Sequence, residues 1–286
     1  MLSLIIATLG DRNTLRACLE SLCGQQQAPP FEVVIVDQNE DDRVGAIIPA
    51  FAGRLEIRHE RVAFRGASRA RNYGARAAKG GWLGFPDDDC MPAPDALAQF
   101  ARVRATFPDV RIITGRTVDE NGESNILGWA NEAQHFTPFS MFTSVTEATL
   151  FVERQILEDV GGFDERFGPG ARYPAAEGVE LVNRLLAAAG TGRAYYSPAI
   201  RIQHPTKVPP YTSWAARRFH LYAIGDGAMI AKSPQPHILA WGLRTCASAV
   251  IQLFSLPLWR SAAFAARLAG MVRGFVRFHL DRRGER

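Results

Sequence analysis

The chain has 286 residues, 47% of them hydrophobic and 22% charged, enough for one large or two modest folded domains and too apolar for a disordered polymer. Its four cysteines (Cys18, Cys23, Cys90, Cys246) show no CxxC pair and no zinc spacing with histidine, which fits reduced cytosolic thiols rather than a disulfide framework. The net charge of +4 conceals an asymmetry, with 13 Lys+Arg against 3 Asp+Glu from Arg201 onward and 20 against 26 before it.

Leu2 to Leu9 (LSLIIATL) is a continuous apolar run and predicts a buried parallel strand, with no basic-then-apolar leader before it and so no secretory signal. Gly10-Asp11-Arg12-Asn13 breaks the run, and Asn13 or Thr14 is the expected cap of a helix reaching about Cys23, with Leu15, Cys18, Leu19 and Leu22 as its apolar stripe. Glu32 to Val36 predicts a second buried strand that ends in Asp37. A β-α-β opening implies a doubly wound sheet. No GxGxxG follows the first strand, which argues against a nicotinamide or flavin site. An acid closing the second strand is placed to accept hydrogen bonds from a nucleoside.

Ser68 is the expected N-cap of an Ala-rich helix to Ala78, with Arg69 and Arg71 in its first turn. That arrangement is either an anion site or two solvated arginines. The helix leads into Gly81-Trp82-Leu83-Gly84-Phe85-Pro86-Asp87-Asp88-Asp89-Cys90, an apolar strand stopped by proline and three carboxylates. Adjacent like charges repel unless a cation sits among them. A hard divalent ion such as Mg²⁺ or Mn²⁺ does this and also binds phosphates, whereas the bland alternative is a solvated acidic loop. The run falls at the carboxyl end of a central strand, where open α/β sheets hold ligands.

Further strands are expected at Arg111–Thr117, Leu150–Val152 and Tyr195–Gln203, and a short helix at Ile156–Val160. Gly161 to Gly170 is too Gly-rich for a regular element. Glu177 and Glu180 open a helix that ends at Gly190 and share one of its faces. They are ordinary N-terminal helix charge or, beside a cleft, a general base. His204 follows the last strand as a structural histidine or a metal ligand.

Taken together, the SLIIAT strand, the acid closing strand two, SRARNYGARAAKG, FPDDDC, GGFDERFGPG and AEGVELVNRLL occur in an order and spacing that resembles family 2 glycosyltransferases of the GT-A fold, over roughly Leu2 to His204. The resemblance implies an α/β fold with a mixed, mostly parallel central sheet flanked by helices, carrying a C-terminal helical extension. It implies an inverting, metal-assisted transfer (Mn²⁺ or Mg²⁺) from a nucleotide-sugar donor, a UDP-sugar first and a dTDP- or GDP-sugar as alternatives. The implied donor-binding residues are Thr8, Asp37, Arg71, Asp87 and Asp88, and the implied metal ligands are Asp89 and His204. The family usually shows Glu-Asp where this chain has Glu177-Gly178, so Glu177 is the expected base and Glu180 the second candidate. The missing acid leaves a nucleotide-sugar-binding scaffold as a rival reading. A sugar nucleotidyltransferase fits less well, because Gly10-Asp11-Arg12-Asn13 is a poor triphosphate loop.

Residues 1–207 are expected to form the catalytic domain and 208–286 a basic helical tail. Ile238 to Leu256 is apolar for nineteen residues apart from Arg244 and a few small polar groups, just long enough for a span of ~30 Å but burdened by that arginine. Phe264, Leu268, Met271, Val272 and Phe275 are expected on one face of a last helix, opposite Arg267, Arg273 and Arg277. The tail therefore either lies on a membrane surface or packs as a helical pair. The implied acceptor is a lipid-linked or polysaccharide glycan, at the cytoplasmic face of the cell membrane. No nucleic-acid-binding pattern is present.

Overall fold

The computed structural model describes residues 1–124, 128–205, 212–254, 256 and 258–284. Strand β1 (Leu2–Thr8) is buried along almost its whole length and pairs in parallel with β2 (Phe31–Asp37), in a register that sets Thr8 beside Asp37. Helix α1 (Arg12–Cys23) joins them and turns Leu15, Cys18, Leu19 and Leu22 into the core. Its cap is Asp11, not Asn13 or Thr14: the Asp11 carboxylate accepts the Asn13 N–H at 3.0 Å, and a full negative charge suits the positive end of the helix.

Strand β3 (Ile57–Arg61) adds in parallel to β2. Helix α2 (Ala67–Ala77) then returns the chain to β4 (Trp82–Gly84), parallel to β1 on its other side. The remaining elements of this region are β5 (Met91–Pro92), α3 (Ala96–Thr106), β6 (Ile112–Val118), β7 (Gln134–His135), β8 (Leu150–Glu153), α4 (Arg154–Asp159), α5 (Glu177–Ala189) and β9 (Ala194–Gln203). The sheet runs β3-β2-β1-β4-β8-β6-β9-β5, with β7 also on β9. Strand β8 is antiparallel to both neighbours, and β5 and β7 are antiparallel to β9. Helices α1 and α3 cover one face through Leu15, Leu19, Leu97 and Phe100.

Helix α2 covers the other face, closely enough that a Cβ on Gly74 would run into the Ile5 side chain. Its N-cap is Gly66 rather than Ser68, with φ +125, a region that a side chain disfavours. Ser68 is instead buried in the first turn. At the other end, the Arg154 guanidinium donates to the carbonyls of Ala75, Ala78 and Gly80, each at 2.8 Å, and so gathers groups that a helix leaves unsatisfied. The buried Glu32 carboxylate accepts from Ser3 Oγ at 2.6 Å and from the Lys79 N–H at 2.5 Å, tying the two central strands to the turn before β4. Arg154→Ala is expected to lower stability by about 2 kcal/mol, read as a fall in the thermal midpoint. An unchanged midpoint would mean that water replaces the guanidinium without loss.

By internal packing the chain divides into two compact units, Met1–Asp164 with Leu181–Thr206, and Glu165–Glu180 with Lys207–Arg286. The segment Glu165–Glu180 thus groups with the tail, where the sequence placed it with residues 1–207. The second unit contains α6 (Ser213–Lys232), α7 (Pro236–Gln252) and α8 (Leu258–Gly284). Helices α6 and α8 cross at glycines: a Cβ on Gly227 would strike the Met271 carbonyl, and one on Gly274 the Ile224 carbonyl. Asp226 is largely buried here, and burial pushes its carboxyl up to about 6 although Arg267 lies 3.6 Å away. Asp281 accepts from Arg172 and from the Tyr173 hydroxyl at 2.6 Å each, and both partners lie in the Glu165–Glu180 segment.

The packed face of α8 is Ala263, Gly270, Met271, Gly274 and Phe278, while Val272 and Phe275 point outward. The stripe expected at Phe264, Leu268, Met271, Val272 and Phe275 is thus divided, with Met271 packed and Val272 and Phe275 open. Backbones this close select glycine at the points of contact, and Met271 and Phe278 pack beside them. Among the described residues no helix is long and apolar enough to cross a membrane, and α7 itself has 17 residues rather than the nineteen of the apolar run.

Candidate active site

In the first unit, the carboxyl ends of β1, β2 and β4 lie side by side, because the three strands are parallel and in register. This edge collects Thr8 from β1, Asp37 from β2 and Asp87–Asp89 just beyond β4. His204 arrives from the end of β9, its backbone N–H bonded to the Val118 carbonyl at 3.0 Å. Arg71 comes from the first turn of α2, held down by the close packing at Gly74.

The three adjacent carboxylates coexist because the turn sends them to different partners. Asp87 Oδ1 accepts from Arg71 Nη2 at 2.6 Å, and this arginine is buried with its guanidinium 5.5 Å from the Phe163 ring centroid. Asp88 Oδ2 accepts from Thr8 Oγ at 2.6 Å. Asp89 Oδ1 lies 3.6 Å from His204 Nε2, and Asp87 Oδ2 lies 3.9 Å from the same nitrogen. Arg71 thus neutralises an acid of the motif, and the Arg69 guanidinium stacks on the Phe64 ring at 4.2 Å.

One ligand atom from each of Asp87, Asp89, Cys90 and His204 falls within 4.8 Å of the others. Burial, and after it the charge of Asp87, drives the Cys90 thiol well above its ordinary pKa. The donors that suit a cation are therefore two carboxylates and an imidazole, a set matched to Mg²⁺ or Mn²⁺ rather than to a soft metal. Asp88 is turned away from this group toward Thr8.

Asp37 is fully buried. Its Oδ2 lies 3.0 Å from His59 Nε2, and its Oδ1 accepts from Asn39 N at 2.9 Å and from Asn39 Nδ2 at 2.8 Å. Half-buried His59 and Asn39 therefore stand between Asp37 and solvent. Asn39 is legible in sequence as an Asx-type turn two residues on. His59 carries no signal, because β3 reads as a charged stretch (IRHER) without apolar alternation.

Glu177 and Glu180 belong to the second unit and occupy the first turn of α5, both buried. Ala176 before them has φ +70, a strained conformation for a residue with a side chain. Glu180 Oε1 accepts from Lys232 Nζ at 2.5 Å, and that ammonium also lies 5.5 Å from the Phe167 ring centroid.

A mixed, mostly parallel sheet with an acidic turn at its carboxyl edge and helices on both faces is the arrangement of the GT-A fold. Two solved structures share it: S. aureus TarS 1–349 in complex with UDP-GlcNAc (TM-score 0.62, 16% identity, 99% of this chain and 92% of that one) and the mannosyltransferase PcManGT from Pyrobaculum calidifontis in complex with GDP-Man and Mn²⁺ (TM-score 0.66, 20% identity, 96% and 86%). The family model for glycosyl transferase family 2 matches residues 3–158, and the chain belongs to that family. Hyaluronan synthase of Pasteurella multocida is 36% identical over 117 residues, 40% of this chain and 12% of that protein. The chain spans 12% to 37% of the length of the first curated relatives that it matches.

Proposed function

We propose that this chain is an inverting glycosyltransferase that moves a sugar from a nucleoside diphosphate to an acceptor hydroxyl. The acceptor would be a lipid-linked or polysaccharide glycan of cell-surface polymer assembly, reached from the cytoplasmic face of a membrane. The observation that carries this reading is the convergence of Thr8, Asp37, Arg71, Asp87–Asp89 and His204 at one edge of a family 2 sheet. The Mn²⁺ and GDP-Man of PcManGT and the UDP-GlcNAc of TarS support a nucleotide-sugar donor, with a UDP-sugar as the first choice.

Asp87, Asp89 and His204 would hold a divalent metal, which when bound supplies positive charge against the departing diphosphate. Thr8 fixes Asp88, and Asp37 fixes His59 and Asn39, so the nucleoside end of the donor meets side chains with locked orientations. Arg71 holds Asp87 in place. The acceptor hydroxyl is a poor nucleophile, so a carboxylate oxygen of Glu177 takes its proton as it attacks the anomeric carbon opposite the leaving group. Glu180 is committed to Lys232 and serves structure.

The test is a thermal-shift screen of nucleoside diphosphates and their sugars, with and without Mn²⁺. A ligand at a hundred times its Kd stabilises by about 2.7 kcal/mol, a shift of several degrees in a chain this size. A metal-dependent shift with one nucleotide supports the donor site and names its base. No shift with any nucleotide would overturn it. Gly178, where the family resemblance implies an acid, favours a second reading in which the chain binds the donor without turning it over. That reading predicts the same shift with no transfer to any acceptor.

A further inference from the structure

Helix α7 has two faces of different fate. Ile238, Gly242, Thr245 and Ala249 recur at three- and four-residue intervals and are buried within the second unit. On the outer side Leu239, Leu243, Val250 and Ile251 form an exposed stripe that Phe254 extends just past the helix end, with Leu243 73%, Ile251 70% and Phe254 88% exposed. The row continues in Leu256 and Leu258, both more than three-quarters exposed, and in half-exposed Trp259. Single apolar residues on a surface need no explanation, but a row of this length marks an interaction face.

The charge around the row points to what covers it. From Gly227 to Leu280 the chain holds six Lys+Arg and no Asp or Glu. Two of the six cations are paired within the second unit, Lys232 with Glu180 and Arg267 with the flanking Asp226, while the flanking Asp281 is held by Arg172 and Tyr173. An apolar row with Arg244 beside it, in a segment without a single negative charge, complements a surface that is apolar within and anionic at its boundary. No described helix is long and apolar enough to span a bilayer, so the row lies along such a surface rather than through it.

We propose that the outer face of α7 is a docking surface for an anionic lipid monolayer. Leu243, Val250, Ile251 and Phe254 enter the headgroup–acyl boundary, and Arg244 sits at phosphate level. The inference rests on the membrane-surface part of the proposed function and is independent of the donor site. It specifies the contact face as α7, leaving the glycine face of α8 to pack against α6.

The experiment is cosedimentation of the full chain with vesicles of phosphatidylglycerol and phosphatidylcholine, against vesicles of phosphatidylcholine alone. The chain is expected to bind the anionic vesicles, and the triple variant L243S/I251S/F254S to bind at least about tenfold more weakly. Arg244→Glu is a second, milder probe, expected to weaken anionic binding about fivefold and to leave neutral vesicles unaffected. The nucleotide-dependent thermal shift, measured on the same samples, is expected to be unchanged in both variants, so failure of the docking face and failure of the donor site are read separately. Equal vesicle binding by wild type and both variants would overturn the proposal. No binding by the wild type would overturn it too, and a wild-type dimer that the triple variant dissolves would assign the face to a second copy of the chain.

Discussion

Asp89→Ala is expected to remove the Mn²⁺-dependent part of the nucleotide thermal shift and to lower sugar transfer by about 10²–10³-fold or more. The carboxylate is one of the two hard oxygen donors in the group with His204, and its Oδ1 lies 3.6 Å from the imidazole. Without it Asp87 and His204 remain, and Asp87 is already shared with Arg71 at 2.6 Å. Asp88→Ala is the matching control. Asp88 is next in the chain and bears the same charge, yet it is bonded to Thr8 and lies outside the four-residue group, so metal dependence is expected to survive its loss. Wild-type transfer and an intact Mn²⁺ effect in the Asp89 variant would sink the metal assignment. The same loss in the Asp88 variant would show that it rests on net charge at the turn rather than on individual ligands.

The second large effect separates the two glutamates of α5. Glu177→Gln preserves size and hydrogen bonding but cannot take a proton, so transfer is expected to fall by about 10²–10⁴-fold while the donor thermal shift stays as in the wild type. Glu180→Gln acts on stability instead. It strips the buried carboxylate from Lys232 and leaves an ammonium that is largely enclosed, at a cost of about 3 kcal/mol. Its thermal midpoint is expected to drop, with transfer per folded molecule nearly kept. If transfer survives in Glu177→Gln and vanishes in Glu180→Gln at equal stability, the base is Glu180. If both variants transfer normally, neither glutamate is the base.

Much of the site was legible because its residues lie where strands end. A strand end shows in sequence as an apolar run stopped by polar residues, and Thr8, Asp37, Asp87–Asp89 and His204 all stand at such stops. What could not be read was which atoms these residues address. Three aspartates in a row look equivalent on paper, and the turn separates them into an arginine partner, a threonine partner and a histidine neighbour. His59 was invisible because β3 has no apolar alternation. The Glu180–Lys232 pair was invisible because its members stand 52 residues apart. The caps at Asp11 and Gly66 fell two or three residues before the expected positions, since several polar residues compete at each helix start and backbone geometry decides among them.

The chain by itself therefore determined the buried β-α-β opening, the acidic turn after β4, the later strands β6, β8 and β9 and the charge asymmetry of its last third, because these depend on local periodicity and on composition. Tertiary structure alone decided that Arg71 neutralises Asp87, that Asp37 is screened by His59, and that Glu180 is tied to Lys232. It also decided that α8 packs through glycines while the apolar row of α7 stays outside. Each of these is a contact between residues far apart in sequence, and hydrophobic periodicity carries no record of which partner a side chain will meet.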